Sequence, residues 1–482
     1  MTKQTVIAPE SLTILESPEE VLTTLTKDGK RRWMYPEPSK GRFYYRRLVL
    51  GWALIVLFVG LPVARVGGKP AVLLDLLHRE FTFFGTTFYP TDTFLLLLMM
   101  VGVVLGVVLF TALLGRVWCG WACPQTVYME FVYRPIERWI EGKEHVRRRR
   151  DAGPWTFDKA WRKGAKHTIY LVLSLGLAHT FVAYFVGWER LVVWMQAPPA
   201  EHWGYFVMMA LTTGLVLFDF GYFREQMCTI ACPYARFQSV LLDPESLIVS
   251  YDPTRGEPRG KRGRKKLEEE AQGLAPQQGD CIDCFACVRT CPTGIDIRDG
   301  LQMECLACTA CIDACDDIMD KIEKPRGLIR YTSEHALAGK PVRRLRPRTV
   351  VYSLLMLVVA GLFVGALATR GAYDVNVGRA AGEPFMVLPD GQVANRLRFR
   401  VRNQTPNETA FTVEVAAPAG ADVRLVGTQP VALAPQEMKR VEAWVVAPSA
   451  AFTAGTADGH FRLRFTDGTT HEIAFPLLGP AQ

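Results

Sequence analysis

The 482-residue chain has no cysteine before position 119 and none after 315, and all twelve lie in short-spaced motifs between those limits. Secreted disulfide scaffolds are not built that way, whereas metal or cluster ligation in a reducing compartment is. Histidine is also scarce, eight in all. Only His167 and His179 fall within or beside an apolar run, and they share one helix, about 18 Å apart along its axis. Facing axial ligands for a transmembrane haem are therefore missing, since His202 lies only at a loop end, and no haem is expected. His179 reads as a packing or hydrogen-bonding residue, with a ligand or proton-relay role as the alternative. No glycine-rich stretch has the context of a phosphate or dinucleotide loop, and "GRAAGEP" is a plain loop. The first 40 residues are polar and charged, so no cleavable signal peptide is expected.

Apolar residues gather instead into five runs long enough to cross a bilayer, which takes about 20 residues each. They are 47–66, 92–115, 167–187, 203–222 and 349–369. Lys and Arg alternate across the connecting segments: eight in 27–47, three in 65–90, twelve in 115–166, one in 188–204 and twenty in 223–349. The positive-inside rule then puts the N-terminus and every cysteine in the cytoplasm, and the segment from about 370 in the periplasm of an inner-membrane protein. The basic run "KEHVRRRRD" (143–151) reads as an orientation anchor beside lipid, not as a nucleic-acid patch. The stretch "AVLLDLLHREFTFFGTTFYP" after the first span is too broken by charge for a crossing and is expected to be interfacial or re-entrant.

The expected organisation is a cytoplasmic segment 1–46, a four-helix membrane domain 47–250, a charged linker 251–278, a cluster module 279–325, a fifth span 349–369 and an outer domain 370–482. The membrane domain contains a repeat. Cys119-x3-Cys123-Pro124 is followed eleven residues later by Pro135, and Cys228-x3-Cys232-Pro233 by Pro244 at the same distance. The outer domain alternates apolar and polar residues, with a hairpin signal in "TDGTT", and reads as a β-sandwich.

"CIDCFACVRTCP" and "CLACTACIDAC" both have the C-x2-C-x2-C-x3-C spacing of bacterial ferredoxins. In that arrangement the fourth cysteine of each run ligates the other cubane. One 4Fe–4S cluster is then expected on Cys281, Cys284, Cys287 and Cys315, the second on Cys305, Cys308, Cys311 and Cys291. Paired zinc sites are the alternative, but they use pairs of cysteines, not runs of four. Asp316 stands where a second proline would match Pro292. The remaining thiols, Cys119, Cys123, Cys228 and Cys232, are expected in turns, with each proline opening a helix. Four such sulfurs suit a soft ion such as Cu(I); a dithiol/disulfide relay and inert packing are the other readings.

Five spans, two Cys-x3-Cys-Pro motifs, a double ferredoxin module and a C-terminal sandwich together resemble the CcoG family of cytochrome c oxidase accessory proteins, also called FixG or RdxA. The likeness covers nearly the whole chain. The ferredoxin motif alone would be less specific, because membrane polyferredoxins of nitrate and nitrous oxide respiration share it. The resemblance implies a part in assembly of cbb3-type cytochrome oxidase, beside copper chaperones and other assembly factors. It also implies one-electron reduction of Cu(II) at Cys119, Cys123, Cys228 and Cys232, an immunoglobulin-like outer domain and a homodimer. Two other functions stay open: a respiratory electron-transfer subunit fed by quinol or a soluble donor, and a non-catalytic assembly scaffold.

Overall fold

The computed structural model describes residues 23–25, 30–89, 92–261, 278–343, 345–405 and 407–480. Much of the expected N-terminal segment 1–46 and most of the linker 251–278 lie outside the described residues. The chain divides into two units, the first ending at Phe363 and the second beginning at Val364.

In the first unit four helices are long and apolar enough to cross a membrane: Arg42–Gly60, Thr93–Leu114, Phe157–Val186 and Trp203–Phe223. A fifth, Pro347–Ala368, runs across the unit boundary. The first begins five residues before the expected 47 and the third ten before the expected 167. In both cases a charged turn continues the helix beyond its apolar part, and Thr156 caps the third by accepting the Lys159 N–H. Tyr133 stacks on Phe220 at 4.4 Å, and with Tyr128 and Tyr170 these rings form the core between the helices.

The stretch after the first span, expected to be interfacial or re-entrant, is folded as a small sheet. Val72–Asp75, Glu80–Phe83 and Thr86–Phe88 form a three-stranded antiparallel sheet. Asp75 fixes its first turn, accepting the His78 N–H at 2.9 Å and facing His78 Nδ1 at 2.8 Å. Gly85, at φ +87°, makes the second. The charges that break the apolar run thus gather at one turn, Arg79 within it and Asp75 and Glu80 paired at the strand ends that flank it, and the β-branched and aromatic residues pair across strands.

The repeat is visible in the backbone. Gly115, four residues before Cys119, has φ 58° and ψ −133°; Arg224, four before Cys228, has φ 53° and ψ −120°. Cys123 and Cys232 are both extended, and each precedes a proline that opens a helix, Pro124–Tyr128 and Pro233–Leu241. Cys119 lies in the short helix Val117–Trp121 and Cys228 in the π-type turn Met227–Ala231. The expected turns are therefore helical turns that stop at the second cysteine.

The cluster-bearing stretch is framed by two strands outside the bounds 279–325, Ile248–Tyr251 and Ile329–Thr332, which pair antiparallel. Its two loops match each other at an offset of 24 residues. Asp283 and Phe285 in one, Ala307 and Thr309 in the other, all have positive φ without being glycine. Backbone held in that region turns successive N–H groups toward one side, as anion-binding nests do.

The second unit consists of two sheets. One has the order Asp422–Leu425, Met438–Ala447, Val393–Asn403, Tyr373–Arg379, with Met386–Val387 also on Val393–Asn403; the other runs Val431–Leu433, Thr409–Ala417, Thr456–Phe465, Thr470–Leu478. Alternate residues Leu397, Phe399 and Val401 meet Phe411, Phe461 and Leu463 in a closed core. Gly468 turns the last hairpin, within the "TDGTT" signal.

Candidate redox centre

The eight cysteines of the ferredoxin runs surround two apolar voids. Cys281, Cys284, Cys287 and Cys315 line one, together with Tyr251, Met319 and Ile329. Cys291, Cys305, Cys308 and Cys311 line the other, where Cys287 also reaches the wall. Each fourth cysteine therefore faces the void of the opposite run. Among the described residues no three His, Cys, Asp or Glu side chains converge closely enough to share a single ion. Cysteines ringing a void fit a four-iron cubane, whereas a zinc ion needs them drawn to a point. Burial pushes the Cys287, Cys305 and Cys315 thiols up to about 12, so a bound metal group must displace their protons. Arg298, tied to Asp283 and Asp296 at 2.5 Å each, opposes this at Cys287.

The module is attached to the first span by Asp313, on the helix Ala310–Lys321 that carries Cys311 and Cys315. Asp313 accepts the Phe43 N–H at 3.1 Å and the Tyr44 N–H at 2.7 Å, capping a helix whose own Gly41 supplies no side chain. Asp316, the departure from the ferredoxin proline, accepts the Gly327 N–H at 2.9 Å and meets Arg42 at 3.4 Å. An Asp313→Ala variant should lose about 1–2 kcal/mol, measured as a lower thermal midpoint in detergent.

The second cluster loop abuts the first thiol pair. Cys119 packs against Leu306 and Cys308, with Cys228 beside them. A Cβ on Gly120 would lie 2.6 Å from the Leu306 carbonyl oxygen and 2.7 Å from the Cys308 Cα. Arg47 Nε donates to the Gly120 carbonyl at 2.9 Å, and Arg116 donates to the Met303 carbonyl. Trp121 Nε1 donates to Tyr331 at 2.9 Å, and Tyr331 donates to the Ala307 carbonyl at 3.1 Å.

All four paired thiols feel one another. Burial pushes Cys119 up to about 11, with Arg116 opposing and Cys123 and Cys232 adding to the rise. Cys228 is raised first by burial and then by Cys123, Cys119 and Cys232. Cys119 Sγ donates to Gln238 Oε1 at 2.9 Å. Asp219, held by Gln125 Nε2 at 3.1 Å, adds a carboxylate near Cys123 and Cys228.

Sequence reasoning missed the ionic frame around this centre. Glu137 is buried and paired with Arg147 at 2.6 Å and Arg224 at 2.8 Å, with Lys166 at 3.9 Å. Glu225 meets Arg31 at 3.1 Å and Arg134 at 3.7 Å, and Arg134 also holds Glu130 at 2.9 Å. The basic run 143–151 is therefore not only an anchor, because its Arg147 is a core residue. Arg224 adopts a left-handed backbone where the repeat has glycine, so its side chain is placed at a conformational cost. His179 donates to the Leu175 carbonyl at 2.8 Å, and His202 stacks near Trp194 at 5.2 Å.

Family models match three parts of the chain: a 4Fe-4S dicluster domain at 223–334, a 4Fe-4S binding domain at 95–147 and the IG-like fold at the C-terminal of FixG at 363–479. Protein RdxB of Cereibacter sphaeroides is 38% identical over 416 residues, 83% of this chain and 85% of that protein. Nitrogen fixation protein FixG of Rhizobium meliloti is 33% identical over 495 residues, 92% of this chain and 91% of that protein. The chain belongs to the FixG/RdxA family. A solved FixG-related protein from Vibrio parahaemolyticus is 18% identical and covers 23% of this chain and 97% of its own, with a TM-score of 0.20. The chain is thus an iron–sulfur membrane protein of electron transfer, with two ferredoxin-type domains and an Ig-like C-terminal domain. Within the family match at 95–147 the only cysteines are Cys119 and Cys123, too few for a cubane of their own.

Proposed function

We propose that this FixG/RdxA protein reduces Cu(II) to Cu(I) at Cys119, Cys123, Cys228 and Cys232, for assembly of a cbb3-type cytochrome oxidase. Cys281, Cys284, Cys287 and Cys315 hold one cubane, and Cys305, Cys308, Cys311 and Cys291 the other. When bound, these clusters store and release single electrons. The observation that carries the reading is the packing of Cys119 on Cys308 across Gly120, which puts a thiol pair against a cluster ligand. Each turnover would add one electron to one cupric ion held by the four thiols. The thiols favour the softer cuprous product.

The lysine and arginine alternation supports a cytoplasmic redox centre and a periplasmic Ig-like domain. Copper chaperones and oxidase assembly factors are the partners this reading implies, and a homodimer is its assembly. The test is anaerobic purification, iron analysis and EPR, followed by Cu(II) addition to the dithionite-reduced, desalted protein with a Cu(I) chelator as reporter. Wild type should carry about eight irons. Cys119→Ser/Cys228→Ser should keep them and form Cu(I) at least tenfold more slowly. Equal rates would remove the thiols from the reaction.

A further inference from the structure

Electrons must reach the clusters from a donor, and the chain has no flavin or nicotinamide fingerprint. A cavity of about 650 Å³ lies between the starts of the third span and the end of the fourth, beside the ionic frame of Glu137. That volume is within the range of small-molecule and cofactor sites.

Its two walls differ in chemistry. The wall from the fourth span is apolar, with Phe218 between Gly214 and Gly221. Both glycines line the cavity, Gly214 in the α-helical part of the span and Gly221 in its terminal π-helical turn Asp219–Phe223, and a Cβ on either would meet no atom within 4 Å. They leave a smooth trough along the span. The opposite wall is charged but closed. Lys163 meets Asp151 at 2.6 Å, Lys166 meets Glu141 at 3.0 Å, and Arg147 and Arg224 share Glu137. Among the described residues of that wall, a phosphate or other charged ligand would find no free counter-charge. His167 remains: its ring is exposed on the cavity side and makes no hydrogen bond or ion pair among the described residues. Trp33 closes the top edge-on to Tyr222 at 6.0 Å, with Arg31 stacked over the Trp33 ring at 3.8 Å.

A neutral, planar molecule with a hydroxyl edge and a long apolar tail matches this lining. Arg224 also lines the pocket that contains Cys228 and Cys308, so one side chain borders both spaces. We propose that the cavity binds a membrane quinol, and that this quinol is the electron donor to the clusters. One quinol gives up two electrons, one to each oxidised cluster. Its two protons pass in turn to His167 and from the exposed ring to water, and the quinone leaves along the glycine trough into lipid. The proposal rests on the electron-transfer reading above but not on copper as the acceptor.

The test uses the oxidised holoprotein in nanodiscs, anaerobic and free of copper, mixed with decylubiquinol or menadiol. Cluster bleaching and the EPR signal of the reduced clusters are followed. Wild type should be reduced by at least one of the two quinols. Gly221→Leu and Gly214→Leu, which fill the trough, should be reduced at least tenfold more slowly, with iron content and the dithionite-generated EPR signal as evidence of folding. His167→Ala should slow reduction while leaving decylubiquinone quenching of tryptophan fluorescence in place. If a glycine variant loses iron, that quenching in the other variant and in His167→Ala still decides. Three results would overturn the proposal: no reduction of wild type by either quinol, wild-type rates in both glycine variants, or a phospholipid that co-purifies with wild type and is expelled by Gly221→Leu. Copper reduction driven by dithionite is measured separately, so failure of either reading is recognisable by itself.

Discussion

On the proposed copper-reductase reading, a Gly120→Val variant will lose at least tenfold in Cu(I) formation and about half of its iron, from about eight atoms to about four. The reason is the kind of atom that stands in the way. A side chain at 120 meets the Leu306 carbonyl oxygen at 2.6 Å and the Cys308 Cα at 2.7 Å, both main chain. Neither can swing aside as the end of a long side chain would. The facing loop is already constrained, with Ala307 and Thr309 in left-handed conformations and the Ala307 carbonyl held by Tyr331. On the near side, Arg47 holds the Gly120 carbonyl. One loop must therefore give way, and the one that carries Cys308 gives way at the expense of a cluster ligand. Iron analysis and the chelator assay on one preparation test both halves, and a wild-type value in each would show that the close approach is unimportant.

Glu137→Ala should be the most damaging substitution outside the cysteines. It takes the nearest carboxylate from buried Arg147 and Arg224, leaving them only Glu141 at 3.6 Å and Glu225 at 3.7 Å, and breaking one partner out of such a network costs about 3–5 kcal/mol. Arg224 suffers twice, because its left-handed backbone is then held by nothing comparable. The same network has a pH signature. Burial works against ionisation of Glu137, but Arg224, Arg147 and Lys166 outweigh it and hold the carboxyl at about 2, below its usual 4.5. A folded value below the unfolded one means that the stabilisation is complete above pH 4.5 and is lost as pH falls toward 2. The difference in thermal midpoint between wild type and Glu137→Gln should accordingly narrow below pH 4.5. A constant difference from pH 7 to pH 3 would contradict the pairing.

Much of this centre was legible because cluster ligation is a matter of local spacing. The C-x2-C-x2-C-x3-C runs fixed which cysteines face which void, and that crossing is what the two linings display. Apolar runs likewise announced five spans, and strict alternation from Asn395 to Asn403 announced a strand with one buried face. What was illegible depends on partners far apart in the chain. Asp313 looks like a solvated helix residue until Phe43 and Tyr44, some 270 positions away, present their N–H groups to it. Arg147 sits in a basic run that any membrane protein could use as an anchor, and only Glu137 makes it a core residue. Residues 72–88 misled for a different reason. Hydropathy read their charges only as a bar to crossing the membrane and gave no sign of a sheet, at whose two turns Asp75 and Gly85 are placed. One signal was available and unused: Gly115 and Arg224 occupy equivalent repeat positions, and an arginine in place of a glycine marks a side chain with work to do there.

The contact at Gly120 has a bearing on how the molecule is made. If the loop that carries Cys308 takes its shape only around a cluster, the helix-bundle surface at Gly120 stays open until iron and sulfide have been delivered. Chains that miss that delivery keep Cys119 and its neighbours uncovered and remain available to membrane proteases. Insertion of the inorganic part is then the last step of maturation and also its checkpoint, so that cellular abundance of the protein should follow iron supply.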